Sequence, residues 1–228
     1  MELREPLGPV EKEETLTEKV YRRVRTALVS GQLVPGQKLV HRNLSVELEV
    51  SPTPVREALL RLVSEGALDL DARGVAWVPH LPLATYEEII ELRVDLEGRA
   101  AARAAQLATA QDVASLKAIH DRLAEARRRN DTSKALEENE RFHFGVIEIA
   151  RMPVLRRIVE NLWTQVGPTI RLFIAAPRPI SRGLHPHEEL LRALARHDQE
   201  AARAAVERDL RDGAKVLAPL LSSVSETR

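Results

Sequence analysis

The chain contains no cysteine. That removes disulfides and thiolate chemistry, and it fits a reducing cytosol. No apolar run approaches the roughly 20 residues that a membrane span needs. Met1 to Thr15 is too acidic for a signal peptide, so a cytoplasmic protein with no membrane partner is expected. Net charge is also missing: 34 Lys and Arg face 34 Asp and Glu, so the whole chain is not a polycation. No His-Glu-x-x-His pair, glycine-rich phosphate loop or nucleophile elbow occurs. An enzyme is therefore not expected. There is no internal repeat and no long low-complexity tract.

What remains is a folding composition. Hydrophobic residues make up 44% and charged residues 30% of 228 positions, enough for one large or two small soluble domains. The stretch around which the rest is organised is Ser51-Pro52-Thr53-Pro54-Val55-Arg56-Glu57-Ala58-Leu59-Leu60-Arg61. Ser51 is a good N-cap, and Pro52 falls at the first helical position, where a missing N–H costs nothing. Pro54 is still within the first turn. Val55, Leu59, Leu62 and Val63 make an apolar stripe, which leaves Thr53, Arg56 and the helix N-terminus facing out. A hydroxyl, a guanidinium and helix-end N–H groups on one rim suit phosphates and bases.

The flanks complete a pattern. A short amphipathic piece, His41 to Leu48, turns at Glu49-Val50 into that helix, which Gly66 ends. Leu68-Asp69-Leu70, a turn at Asp71-Ala72-Arg73-Gly74, and Val75-Ala76-Trp77-Val78 follow as a two-stranded wing. Helix, turn, helix and wing in this order is a winged helix-turn-helix. Upstream, Thr15 and Glu18 read as a capping box before Leu16, Val20, Val24, Ala27 and Leu28 at helical spacing. Gly31 ends that helix, and Pro35-Gly36 suits a tight turn. Between Leu16 and Pro79, nine basic residues stand against seven acidic ones, a surplus of two, so DNA binding rests on where the charges sit.

These residues carry a family resemblance. Gly31-Gln-Leu-Val-Pro35-Gly36-Gln-Lys-Leu39, Leu44-Ser45-Val46-Glu47-Leu48, Ser51-x-Thr53-Pro54-Val55-Arg56-Glu57-Ala58-Leu59 and Glu65-Gly66 resemble the DNA-binding head of the GntR family of bacterial transcription regulators. The likeness covers Leu16 to Pro79. It implies a ligand-responsive regulator, a repressor in the first reading with an activator as the alternative, binding a palindromic double-stranded DNA operator as a homodimer. Contacts are expected from Arg42, Ser51, Thr53, Pro54, Arg56 and the wing tip Arg73-Gly74. The family usually has Arg where this chain has Pro52, which leaves the base preference open.

From Thr85 onward the pattern is entirely helical. The expected organisation is an arm (1–14), the winged head (15–79), a stiff linker (80–84), an all-α domain (85–221) and a tail (222–228). Thr85 with Glu88 reads as a capping box, and Thr109 with Asp112 as another. Arg127-Arg128-Arg129 reads as a solvated basic helix end. Further helices carry Leu136 to Ile149, Leu155 to Phe173 with a kink at Gly167-Pro168, His187 to Arg196, and a last one capped by Asp198. Ala176-Pro177-Arg178-Pro179 reads as a loop. Leu92-Arg93-x-x-Leu96-Glu97, Phe142-His143, His187-x-x-Leu190-Leu191-x-Ala193-Leu194 and Asp198-x-x-Ala201-Ala202 resemble the effector (FCD) domain of the fatty-acid-regulator-like branch of that family. The fold class is thus mainly α, a winged head followed by a helical bundle that binds effector and dimerises.

The resemblance also implies a metal site. Asn139 and His143 are four apart and share a helix face. With His187 and Asp209 they stand where relatives place Asp, His, His and His; here Asn139 replaces the Asp and Asp209 the last His. One carboxylate, two imidazoles and an amide oxygen could hold Zn, Ni or Mn, with His185 a possible substitute ligand. The alternative for His143 and His187 is a pair of hydrogen-bonded core histidines. Arg93 and Arg171 could clamp a small carboxylate effector or make ordinary salt bridges, with Glu97 an internal partner. Two other functions stay open: a metal-sensing regulator, and a metal-dependent hydrolase using the bundle site.

Overall fold

In a computed structural model, residues 14–175 and 185–225 are described. The N-terminal arm, the 176–179 loop and the end of the tail lie outside that range. The head begins with α1 (Leu16–Val29). Thr15 accepts the Glu18 N–H as its N-cap. The Glu18 carboxylate does not return the bond; it pairs with Arg61 at 2.8 Å, so only half of the expected capping box forms. β1 (Lys38–Leu39), α2 (His41–Glu47) and α3 (Pro52–Ser64) follow. Val34 to Gln37 closes as a tight turn with Gly36 at φ 84°.

The wing has three strands rather than two. β2 (Asp69–Leu70) and β3 (Ala76–Trp77) form the hairpin, and β1 adds on the other side of β3, giving the order β1-β3-β2, all antiparallel. At the wing tip the Asp71 carboxylate accepts the N–H groups of Arg73 and Val75. The head core is the α1 and α3 stripes, Val20, Val24, Leu28, Val55, Leu59 and Leu62, closed by Leu39, Leu68 and Val78 from around the wing. That is most of the stripe the spacing predicts; Leu16, expected on it, is exposed at the start of α1, and Ala27 is only half-buried.

Six helices make the second unit: α4 (Leu83–Leu107), α5 (Ala110–Arg128), α6 (Thr132–Ile149), α7 (Pro153–Ala175), α8 (Pro186–Ala195) and α9 (Gln199–Ser225). α4 starts two residues before Thr85, after Pro82, with no side-chain cap. The Thr85–Glu88 box is therefore inside the helix rather than at its end. Thr109 and Asp112 do form a reciprocal capping box, and Asp198 caps α9 through the Ala201 N–H. α9 runs on to Ser225, beyond the expected start of the tail. α7 stays helical through Pro168. α4 lies along α9, α5 along α6, and α8 against α9. Alanines 100, 101, 104, 105, 202 and 205 are buried in one core with Phe142, Trp163 and Leu190; small side chains let α4 and α9 approach closely.

α7 also joins the two units. A Cβ on Gly167 would lie 2.7 Å from Val29 Cα and 2.8 Å from the Leu28 carbonyl oxygen. Glycine there is what permits the end of α1 to seat on α7. Around it, Asn161 and Gln165 both donate to the Glu65 carbonyl at 3.2 Å. Arg171 donates to the Gly31 carbonyl at 2.9 Å.

Candidate functional site

Two regions carry chemistry, and α7 touches both units that contain them. The first is the tip of α3. Ser51 has the extended backbone of an N-cap, yet its hydroxyl makes no cap bond. The reason lies in the two prolines. An N-cap side chain accepts from the N–H of N2 or N3; Pro54 occupies N3 and has none. Two of the helix's free N–H groups are thus absent, and Thr53 keeps the one at N2.

Ser51, Thr53 and Arg56 are exposed, as are Arg42 on α2 and Arg73 and Gly74 at the wing tip. Pro54 is not: expected on the outer rim, it is buried with the apolar face. Arg61, on the same helix, stacks over Tyr21 at 3.7 Å and pairs with Glu18 and Glu65. That ties it into the head, while Thr17 donates to Glu57 at 2.7 Å. The outward cations of this face are Arg42, Arg56 and Arg73.

The second region is a small cavity in the bundle, about 40 Å³ in volume. That is room for a very few waters or a coordinated ion. Arg93, Arg127, Asn139, His143, Trp163 and Asp209 are among its lining residues. Against its wall runs a buried chain of charges, to which Arg93, His143 and Asp209 belong. Arg93 donates to Glu97 Oε1 at 2.7 Å, Trp163 donates its indole N–H to the same oxygen at 3.2 Å, and the Arg93 guanidinium lies over the Trp163 ring at 4.2 Å. Glu97 Oε2 meets His143 Nδ1 at 2.8 Å. His143 Nε2 lies 3.3 Å from Asp209 Oδ2, and His187 Nε2 lies 3.4 Å from that same oxygen. The Phe142 ring stacks on His187 at 3.9 Å between centroids.

The electrostatics follow from this order. Burial raises the Glu97 pKa, but Arg93 and then His143 outweigh it and bring the carboxyl down to about 2. Burial disfavours charge on His143 too, yet Glu97 and Asp209 push the ring up to about 9. For His187 burial wins over Asp209, and the ring falls to about 4. Burial also works against Asp209, but the two imidazoles hold it well below the usual carboxylate range.

His143, His187 and Asp209 each offer a ligand atom within 4.8 Å of the others, and Asn139 lines the same cavity. Their fit to a divalent ion can be tested on two features. Both ring nitrogens of His187 are buried without a hydrogen-bond partner. In addition, His143 gives Nδ1 to Glu97 and turns Nε2 to Asp209, so an ion would take the place of the Nε2 proton that Glu97 and Asp209 hold on the metal-free ring. A carboxylate behind the imidazole is the usual outer support of a metal-bound histidine. The residues fit the group.

Of the expected effector residues, Arg93 lines the cavity but is already held by Glu97. Arg171 is not at the cavity; its guanidinium is spent on Gly31 at the junction with the head. His185 caps α8, accepting the His187 N–H on Nδ1. Two cavity residues escaped sequence reasoning. Arg127, read as part of a solvated run, turns inward, while Arg128 and Arg129 pair with Glu125. Trp163 carried no spacing signal beyond its place on the α7 stripe; tryptophan's rarity, two in the chain, was the one cue.

Comparison with known proteins agrees with this layout. Residues 16–76 match the description "Bacterial regulatory proteins, gntR family", and residues 88–212 match the FCD domain. The HTH-type transcriptional regulator McbR of Escherichia coli (strain K12) is 34% identical over 191 residues, 83% of this chain and 86% of that protein. The HTH-type transcriptional repressor RspR of the same strain is 26% identical over 86% of each. A solved structure of E. coli McbR/YncC superposes with a TM-score of 0.83 at 32% identity, covering 90% of this chain and 98% of that one.

Proposed function

Because the chain belongs to the GntR family, with an FCD domain after its winged head, it is a DNA-binding transcriptional regulator and not an enzyme; from that premise we propose a cytoplasmic homodimeric repressor. In this reading a small carboxylate, held beside a divalent metal in the bundle, controls the spacing of the two heads. α3 enters the major groove of a half-site. Arg56 and Arg42 contact phosphates or bases, Ser51 and Thr53 add hydrogen bonds, and Arg73-Gly74 reaches the neighbouring backbone or minor groove. Two symmetric heads require a palindromic operator. The name repressor is borrowed from RspR.

His143, His187 and Asp209 are the protein ligands for the ion, and Asn139 offers an amide oxygen. The mixed imidazole and carboxylate set suits Zn, Ni or Mn. The ion supplies a Lewis-acidic anchor for an anion. Arg127 and Arg93 lend positive charge beside it, and Glu97 keeps His143 oriented. The small cavity suits a carboxylate group, and a larger metabolite needs α4 and α9 to part.

The observation that carries this reading is the double role of α7. Trp163 forms a wall of the cavity, and two residues later Gln165 grips the head; Gly167 and Arg171 continue that seam. A ligand that prefers one setting of Trp163 therefore biases the seat of the head, which is what coupling between two sites requires.

The test is operator binding by fluorescence anisotropy at fixed salt. It uses the full chain stripped with chelator, then Zn²⁺, Ni²⁺ or Mn²⁺, then malonate, succinate or citrate. A carboxylate that shifts the isotherm only when metal is present supports the proposal. If the ion alone shifts it, the protein is a metal sensor. If neither does, the bundle site has no regulatory part.

A further inference from the structure

We infer that the bundle holds a second transition-metal site, built from His120, His185 and His187; it shares His187 with the first, and because a neutral imidazole has one lone pair, the two groups compete for that ring unless its second proton is released to solvent. The three histidines each offer a ring nitrogen, all within 4.8 Å of one another. Their ring centroids are 5.4, 5.4 and 4.7 Å apart. Asp209 and His143 take no part in this group.

The unmatched atoms point to a ligand. His120 is 8% exposed and His187 2%; Nδ1 of the first and both ring nitrogens of the second are buried without a hydrogen bond. A buried polar nitrogen left unpaired costs on the order of 1–3 kcal/mol. Structures keep such atoms when something else satisfies them. His185 has the opposite problem. The Arg127 guanidinium lies 3.0 Å from Nε2, and the His187 N–H donates to Nδ1 at 3.1 Å. A neutral imidazole has one lone pair, so the ring accepts from only one of these two groups, and an ion at His185 would replace that one hydrogen bond.

The Glu188 carboxylate, next to His187 on α8, lies 3.8 Å from His120 Nε2 and is partly exposed. It stands beside the ring nitrogen opposite the unmatched Nδ1 and is not one of the three grouped ligands. Three imidazoles select an imidazole-preferring divalent ion such as Zn²⁺, Ni²⁺, Cu²⁺ or Co²⁺ over Mg²⁺ or Ca²⁺. Bonds of about 2.0–2.1 Å need the rings to close in slightly, a side-chain movement. Such an ion would tie α5 to the start of α8.

The experiment uses Co²⁺ as probe on the metal-stripped full chain. Visible absorption reports the ligand field, and competition with a chromophoric chelator gives stoichiometry and affinity. The double variant His143→Gln/Asp209→Asn removes the first group and leaves this one. It is expected to retain one Co²⁺, and adding His120→Gln should weaken that ion at least tenfold. A double variant that holds no ion overturns the second site while leaving the first intact. An unaltered chain that binds no Co²⁺ sinks both. If the double variant fails to fold by circular dichroism, His120→Gln alone decides. A loss of one class of sites with a changed spectrum supports the inference, and a titration superimposable on the unaltered chain overturns it.

Discussion

Replacing Gly167 with alanine tests whether α7 holds the head as closely as the geometry requires. In an ordinary helix interior Gly→Ala stabilises by about 1 kcal/mol, because glycine loses more backbone freedom. Here the new methyl would stand 2.7 Å from Val29 Cα and 2.8 Å from the Leu28 oxygen. Carbon atoms rest comfortably at about 3.5–4.0 Å, so the end of α1 must move off α7 by roughly 1 Å. The clashing atoms are backbone, so no rotamer change relieves them. Overpacking of this kind costs about 1–3 kcal/mol. Set against the helix gain, the variant should end up destabilised by up to about 2 kcal/mol. Urea unfolding at 25 °C reads that net change. Hydrogen exchange locates it: the Ser30 and Gly31 amides, bonded to Thr26 and Leu28 carbonyls, should exchange faster. Operator affinity should also become less responsive to any bundle ligand. A variant stabilised by the full helix gain, with unchanged exchange at Ser30 and Gly31, would refute the close seat and the coupling built on it.

Arg56→Ala should weaken operator binding by at least about 1 kcal/mol; an unchanged anisotropy isotherm at fixed salt removes Arg56 from recognition. Asn139→Asp adds a second carboxylate beside His143 and should tighten Zn²⁺ or Mn²⁺ at least tenfold by chelator competition; equal affinity would place residue 139 outside the coordination sphere. Glu97→Gln leaves the fully buried Arg93 without its counter-charge and should destabilise the metal-free chain by about 3–5 kcal/mol in urea. The same carboxylate sets an acid limb. Its folded pKa, about 2, lies below its unfolded value. Its contribution is therefore complete above the ordinary Glu range and is lost as pH falls through about 2. Circular dichroism from pH 7 to 2 should show a shallower stability loss in Glu97→Gln than in the unaltered chain; parallel curves would mean Glu97 is not what the acid disrupts.

Much of this architecture is local physics, and local physics can be read from order along the chain. The apolar spacing of Val55, Leu59 and Leu62 sets the buried face of α3 whatever packs against it. Gly31, Gly36, Gly66 and Gly74 all take positive φ, which is why they punctuate where they do. The i,i+4 spacing of Arg93 and Glu97 makes their ion pair a property of the helix itself. The Ser51 cap loses its N3 donor for an equally local reason, the missing Pro54 N–H.

Other features belong to no single segment. Thr85–Glu88 obeys the capping pattern, but α4 had already begun after Pro82, because an apolar Leu83 packs on the bundle core. Arg127 and Arg129 are two residues apart in one run; helix rotation sends the first to the cavity and leaves the second in solvent. Arg171 and Arg93 looked equivalent as cations on bundle helices; the Glu97 partner of Arg93 is local to its helix, but only packing brings Arg171 to Gly31. Helical spacing and the order of motifs determined that there would be a winged head with an exposed helix tip followed by a helical bundle, and the family resemblance singled out His143, His187 and Asp209 within it. Which nitrogen faces which oxygen, and that one helix borders both the cavity and the head, was decided by tertiary structure, since those contacts join residues 46 to 140 positions apart, and no local preference encodes such a meeting.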